Sequence, residues 1–155
     1  NSMKVSVPLA VSAQSFYTYL LKQIKTDIQA SKNTVPATLE ELDGYTYSRF
    51  LKRQKKDALE IRIQVGPLIE NRYYEVKYQT PTASNRYFYD ITEVDEHHIE
   101  VTYCEDNSAK GSINNWFYKT RVKFREANVQ MRVKETLKAI EQQLQGDTSW
   151  IPSKP

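Results

Sequence analysis

Between Leu59 and Val65 every second residue is apolar: Leu59, Ile61, Ile63 and Val65 alternate with Glu60, Arg62 and Gln64. A period of two predicts a strand with one buried face. Gly66 and Pro67 follow and read as the punctuation that ends it. The same period returns at Tyr74, Val76 and Tyr78, at Tyr87, Tyr89 and Ile91, and at Ile99, Val101 and Tyr103. "TPTASN" between the first two of these reads as a loop, and Asp95–Glu96 as a short connection before the last. Tyr45 to Lys52 is a further candidate strand. Short connections between successive strands predict an antiparallel meander.

The chain opens with another alternation, Val5, Val7 and Leu9, which Pro8 restricts to an edge or a strand end. Ser12 is placed to cap a helix whose stripe is Phe16, Leu20, Ile24 and Ile28, flanked by Tyr17 and Leu21 and ending near Ser31. Thr38 with Glu41 carries a capping-box signal for a second, very short helix that stops at Gly44. At the other end Val133, Leu137, Ile140 and Leu144 recur at helical spacing up to Gly146. Residues 113–126 fit two periods. Trp116, Tyr118, Val122 and Phe124 alternate as a strand would, and the same residues also extend the C-terminal helix backwards, with a second apolar stripe on its far side.

Composition narrows the class. At 155 residues, with 39% hydrophobic and 26% charged positions, one folded domain with a single core is expected, over residues 3–146. Asn1 and Ser2 read as a cloning remnant and residues 147–155 as a tail. A formal charge of +3 does not by itself point to nucleic acid, and nucleic acid is not expected as a partner. One cysteine, Cys104, precludes an internal disulfide and suits the cytoplasm. No apolar run reaches the roughly 20 residues of a membrane helix. Tyrosine is the outlier: eleven, against five phenylalanines. Its ring is apolar, and its hydroxyl needs a partner when buried.

Three stretches carry a resemblance: "VPLAVSAQSFYTYL", "EIRIQVGPLIENRYYEV" and "HHIEVTYCEDNSAKGSINNWF". Their order resembles the START-like, or helix-grip, superfamily of birch-pollen-allergen-like proteins and polyketide cyclases. More narrowly, the chain is similar to an uncharacterised Gram-positive bacterial family of that superfamily, a domain of unknown function. The resemblance implies an α+β fold in which a curved antiparallel sheet of about six strands wraps around a long C-terminal helix, with an N-terminal strand and one or two short helices. It places Gly66-Pro67 at a turn. It tips residues 113–126 toward helix, with a seventh strand as the other reading. It also implies a cavity between sheet and helix.

The face expected to line that cavity runs through Ile61, Ile63, Val65, Tyr74, Val76, Tyr78, Tyr87, Tyr89, Ile91, Ile99, Val101 and Tyr103. A buried hydroxyl without a partner costs about 1–3 kcal/mol, so the five tyrosines need water, a side chain or a ligand. The ligand-binding candidates are therefore Tyr74, Tyr78, Tyr87, Tyr89 and Tyr103. Arg49 joins them if its strand turns that face inward, where it would meet an anionic group. The other face would leave it on the surface.

The function this supports is binding of a small, partly apolar or amphiphilic molecule of unknown identity, without covalent chemistry, cofactor or metal. A cyclase- or hydrolase-like enzyme using a pocket carboxylate is the alternative. A buried Asp or Glu beside a tyrosine hydroxyl would favour it. A third reading is a protein- or nucleic-acid-interaction module through the basic segment 119–125, with Lys119, Arg121, Lys123 and Arg125 set among aromatics. The second apolar stripe also allows a homodimer. His97 and His98 are adjacent and so point apart on a strand, which argues against one metal site and for the surface. Asp90, Glu93, Glu100 and Glu105 read as solvated strand positions.

Overall fold

The computed structural model describes residues 2–107 and 126–146. Strand β1 (Ser2–Leu9) leads into helix α1 (Ala13–Ala30) and the single turn α2 (Leu39–Leu42). Five strands follow: β2 (Thr46–Arg53), β3 (Lys56–Ile69), β4 (Tyr73–Thr80), β5 (Ala83–Asp95) and β6 (His98–Asn107). Helix α3 (Glu126–Gly146) completes the described chain. The six strands form one antiparallel sheet in the order β1-β6-β5-β4-β3-β2. The fold is α+β and of the helix-grip type.

Local chemistry sets the element ends. Ser12 caps α1 by accepting the Ser15 N–H at 3.1 Å, which satisfies one of the helix's free donors. The helix buries Phe16, Tyr17, Leu20, Ile24 and Ile28, the stripe its spacing predicts, with the flanking Tyr17. At α2, Thr38 accepts the Glu41 N–H at 3.1 Å and donates its hydroxyl to the Glu41 carboxylate at 3.0 Å. Met3, Val5, Val7 and Leu9 of β1 are all buried. Pro8 sits on an edge strand, as its missing N–H requires.

Gly66 and Pro67 do not end a strand. β3 runs through them to Ile69, and the turn lies at residues 70–72. The pairing with β4 shifts register between Val65 and Leu68, so the two residues form a bulge. Bulges bend and twist a strand locally, and three register shifts, in β2–β3, β3–β4 and β5–β6, accompany the sheet's curvature. The expected loop over "TPTASN" shrinks likewise. Thr80 pairs with Ala83, which leaves only two residues in the turn and puts Asn85 on a strand. The sequence reading failed in both places because Gly, Pro and Asn are turn formers, and here they sit within the ladder.

The core is one buried cluster shared by α1, α3 and one face of the sheet. Leu137 and Ile140 of α3 are buried in it, with Val133 and Leu144 at its margin. The same helix is tied to the β1–α1 junction. Glu141 accepts the Ala10 N–H at 2.6 Å, Lys138 donates to the Pro8 carbonyl at 2.9 Å, and Gln145 donates to the Ala10 carbonyl at 2.9 Å. Residues 113–125, over which strand and helix compete in the sequence, lie outside the described residues, as does the tail from 147. Among the described residues, no helix is long and apolar enough to cross a membrane.

The bulge makes a demand on one residue. Gly66 has φ +107°, and a Cβ there would run into the Asp43 side chain and meet the Gly44 nitrogen at 2.9 Å. Asp43 cannot simply move aside, because its Oδ1 accepts the Leu68 N–H at 3.2 Å. The variant Gly66→Ala should lose about 1–3 kcal/mol, the cost of a strained φ plus a displaced neighbour. Urea denaturation read by circular dichroism checks this; a midpoint equal to that of the unaltered protein would contradict it.

Candidate ligand-binding face

Strand register decides which side chains share the inner face. Tyr74, Tyr89, Tyr103 and Val5 stand in one row across β4, β5, β6 and β1. Val65, Val76, Tyr87, Glu105 and Met3 form the next row, and Tyr47, Ile63, Tyr78, Asn85 and Asn107 the one after. All twelve positions expected on this face are on it. Tyr74 and Tyr103 are buried, while Tyr78, Tyr87 and Tyr89 are part-exposed.

The rings form a continuous aromatic wall. Tyr89 and Tyr103 approach to 4.9 Å between centroids, Tyr74 and Tyr89 to 5.9 Å, and Tyr78 stacks on Tyr87 at 5.8 Å. Helix α1 adds Phe16, edge-on to Tyr89, and Tyr17, edge-on to Tyr74. Such offset and edge contacts each contribute about 0.5–1.5 kcal/mol beyond burial.

Several hydroxyls are satisfied within the protein. Tyr17 donates to the Tyr73 carbonyl at 2.7 Å, and Tyr103 to the Glu105 carboxylate at 2.9 Å. Tyr47 donates to Asp27 of α1 at 2.5 Å. Burial, and then Asp27, push the Tyr47 hydroxyl's pKa up. Burial does the same to Tyr17 and Tyr74.

Arg49 has an intermediate fate. Its strand does turn the Tyr47 side inward, yet the Arg49 side chain is 52% exposed and pairs with Asp27 at 3.1 Å. It is therefore not the buried cation that an inward face would make it. It stands at the rim, where one carboxylate of α1 holds both Tyr47 and Arg49.

Beyond the tyrosines the inner face turns polar. Thr80, Asn85, Glu105 and Asn107 are all buried there, Asn85 at 3% and Glu105 at 7% exposure. The Asn85 side-chain oxygen accepts no hydrogen bond among the described residues. Glu105, expected on a solvated face, is the correction here: it stands two residues after Tyr103 and so shares its inner face. The period itself carried that signal, and it was overridden by the rule that lone carboxylates stay in water. Asn85 and Asp27 are not foreshadowed by the pattern, and Tyr17 and Tyr47 are not among the site candidates it offers. Asn85 was hidden in the supposed loop, and Asp27 acts through a partner twenty residues away.

The other candidates lie off this face. His97 and His98 stand on the exposed β5–β6 turn, where Asp95 accepts from the His97 N–H and contacts His98 Nδ1, both at 2.8 Å. Among the described residues no group of three or more His, Cys, Asp or Glu could hold a metal. Cys104 is half-buried on the outer face, and burial raises its thiol pKa. The outer face also carries a groove of about 490 Å³ lined in part by Arg62, Gln64, Lys77 and Arg86. Beneath it the buried Glu75 binds Lys77 at 3.3 Å and Arg86 at 3.2 Å. The basic segment 119–125 lies outside the described residues.

The buried phenols set an alkaline limit on stability. Their pKa values are higher folded than unfolded, so their contribution is intact below the ordinary tyrosine value near 10 and is lost as pH rises beyond it. Absorbance at about 295 nm should show exposed tyrosines ionising first near pH ~10. The buried set should ionise only together with loss of circular dichroism. Ionisation of all eleven tyrosines in one step while the fold persists would contradict the burial described.

Solved structures with the same fold are numerous, and their identities are low. A polyketide-cyclase-like protein from Corynebacterium glutamicum is 15% identical, with a TM-score of 0.55 over 99% of this chain and 97% of that one. A conserved protein from Geobacillus kaustophilus is 13% identical, with a TM-score of 0.54 over 94% and 96%. A START superfamily protein from Mycobacterium smegmatis is 13% identical, with a TM-score of 0.51 over 97% and 99%. These likenesses establish the fold. No curated protein is significantly similar in sequence. The sequence itself matches one family over residues 3–124, and the chain belongs to it: DUF3284, a domain of unknown function.

Proposed function

We propose that the chain binds a small, partly apolar or amphiphilic molecule against the inner face of the sheet, between it and the C-terminal helix. The observation that carries this reading is the change of chemistry along that face. An aromatic wall with part-exposed rings at Tyr78, Tyr87 and Tyr89 leads to the buried Asn85, whose side-chain oxygen accepts no hydrogen bond among the described residues. A buried acceptor left unused costs stability, and a ligand donor would recover it. The flat apolar body of the ligand lies on Tyr74, Tyr87 and Tyr89, with Tyr78 and Tyr103 at its edges. Its polar end donates to Asn85. Arg49 at the rim, shared with Asp27, meets any group that projects past β2. The START-like and polyketide-cyclase-like proteins of the same fold support a ligand-binding reading.

A second reading has its own observation. Glu105 is a buried carboxylate hydrogen-bonded to the Tyr103 hydroxyl at 2.9 Å. A carboxylate and a phenol in contact can pass a proton to or from a bound substrate, as general acid–base catalysis requires. This arrangement would serve a cyclase- or hydrolase-like reaction on the same ligand face. Glu105→Gln separates the two: it keeps ligand binding in both cases, and abolishes turnover of the bound compound only in the second.

Native mass spectrometry of protein from its own host tests the binding reading. A co-purified molecule of small mass is expected, and it should be lost or weakened in Tyr78→Phe and Tyr89→Phe while the thermal midpoint stays near that of the parent. Asn85→Leu is the sharper variant. Removing the amide should make the small molecule disappear while circular dichroism shows the fold retained. Retention of the molecule in all three variants would place it elsewhere.

A further inference from the structure

We propose that the tip of the β2–β3 hairpin is a docking element for duplex nucleic acid, entering the major groove. It lies apart from the ligand face and does not depend on it.

Charge is the first observation. Residues 49–57 read RFLKRQKKD: five cations and one carboxylate, a net +4. The whole chain carries +3, so everything outside these nine residues sums to −1. Residues 119–125 carry an equal net +4 but lie outside the described residues, so among the described residues this hairpin is a pronounced concentration of positive charge. Residues 52–58 are all exposed. Arg49 is held by Asp27 at 3.1 Å, and Arg53 donates through Nε to the Asp57 carbonyl at 2.9 Å, which leaves its charge unneutralised. Lys52, Lys55 and Lys56 make no ion pair among the described residues. Four cations remain for a partner. Protecting an open sheet edge calls for charge along the strand; three of these four lie at or within one residue of the two-residue turn.

Shape is the second observation. Arg53 pairs with Lys56 across the ribbon, so those two share a face, while the neighbouring Lys52 points to the other. Gln54 and Lys55 make the turn. The tip thus carries cations on both faces and no apolar side chain from Lys52 to Asp57. An anionic bilayer offers charge from one side only and rewards an apolar tip. A channel with anionic walls on both sides engages both faces. The major groove is such a channel, about 12 Å wide, and it admits a two-stranded ribbon whose strands are about 4.8 Å apart. On the outer face the surface continues through Phe50, 67% exposed, to Arg62, which also makes no ion pair among the described residues.

Fluorescence anisotropy with a labelled duplex of about 20 base pairs tests this. Four phosphate contacts predict a slope of log affinity against log salt of about −3.6, so affinity falls about 150-fold between about 50 and about 200 mM salt. The variant Lys52→Gln/Lys55→Gln/Lys56→Gln leaves one free cation. Its slope should drop to about −0.9, a fall of about three- to four-fold over the same range. All three positions are exposed, so its circular dichroism and thermal midpoint should match the parent. The proposal is overturned by no binding at about 50 mM salt, or by an unchanged slope in the triple variant. Equal affinity for a single strand of the same length also overturns it, as does binding confined to phosphatidylglycerol vesicles.

Discussion

A phenol hydroxyl that leaves water must find a partner, and the inner face of this sheet is organised around that requirement. Period-two alternation and strand register together bring five sheet tyrosines into adjacent rows, where each ring contacts others. The oxygens then dictate what else is buried. Tyr103 brings Glu105 inside, Tyr47 draws Asp27 toward the sheet from α1, and Tyr17 uses the Tyr73 carbonyl. The positions of Glu105 and Asp27 are thus consequences of choosing tyrosine over phenylalanine for the wall. Satisfied in this way, a wall of tyrosines can stay rigid and still present polar groups at its margin.

How much of this was legible follows from how local each cause is. The strand around Ile61–Val65 and the stripe of α1 are dictated by side chains within one element, and they appear as the period predicts. The inner-face tyrosines were legible for the same reason. Gly66-Pro67 was misread because its meaning depends on Asp43 and Gly44 packing beneath it, 23 and 22 residues before Gly66. Asn85 was misread because a two-residue turn suffices between β4 and β5, so a stretch rich in turn formers was mostly strand. Glu105 ran against the preference of carboxylates for water, and its partner is the neighbouring inward residue. Arg49 depended on Asp27, a residue of another element that no local pattern connects to it.

The helix grip also has a polar fastening that hydrophobic periodicity does not report. Glu141, Lys138 and Gln145 of α3 bond backbone groups of Pro8 and Ala10, at the point where β1 gives way to α1. Pro8 lies on an edge strand and Ala10 between the end of β1 and the Ser12 cap, so α3 supplies partners to backbone groups at the junction. The C-terminal helix thus completes the N-terminal junction, and the two ends of the described chain become one unit of the fold.

The two edges of the sheet, as the described residues form it, are guarded by unlike means. On β1, Pro8 offers no N–H and its carbonyl is occupied by Lys138. The missing N–H is covalent, so that part of the guard does not depend on ionic strength. Along β2 the unneutralised charges are Lys52 and Arg53 near its end, since Asp27 holds Arg49, and dissolved ions attenuate their repulsion over a Debye length of about 8 Å at physiological strength and about 3 Å in molar salt. Of these two edges, β2 is therefore the one along which self-association in concentrated brine should begin.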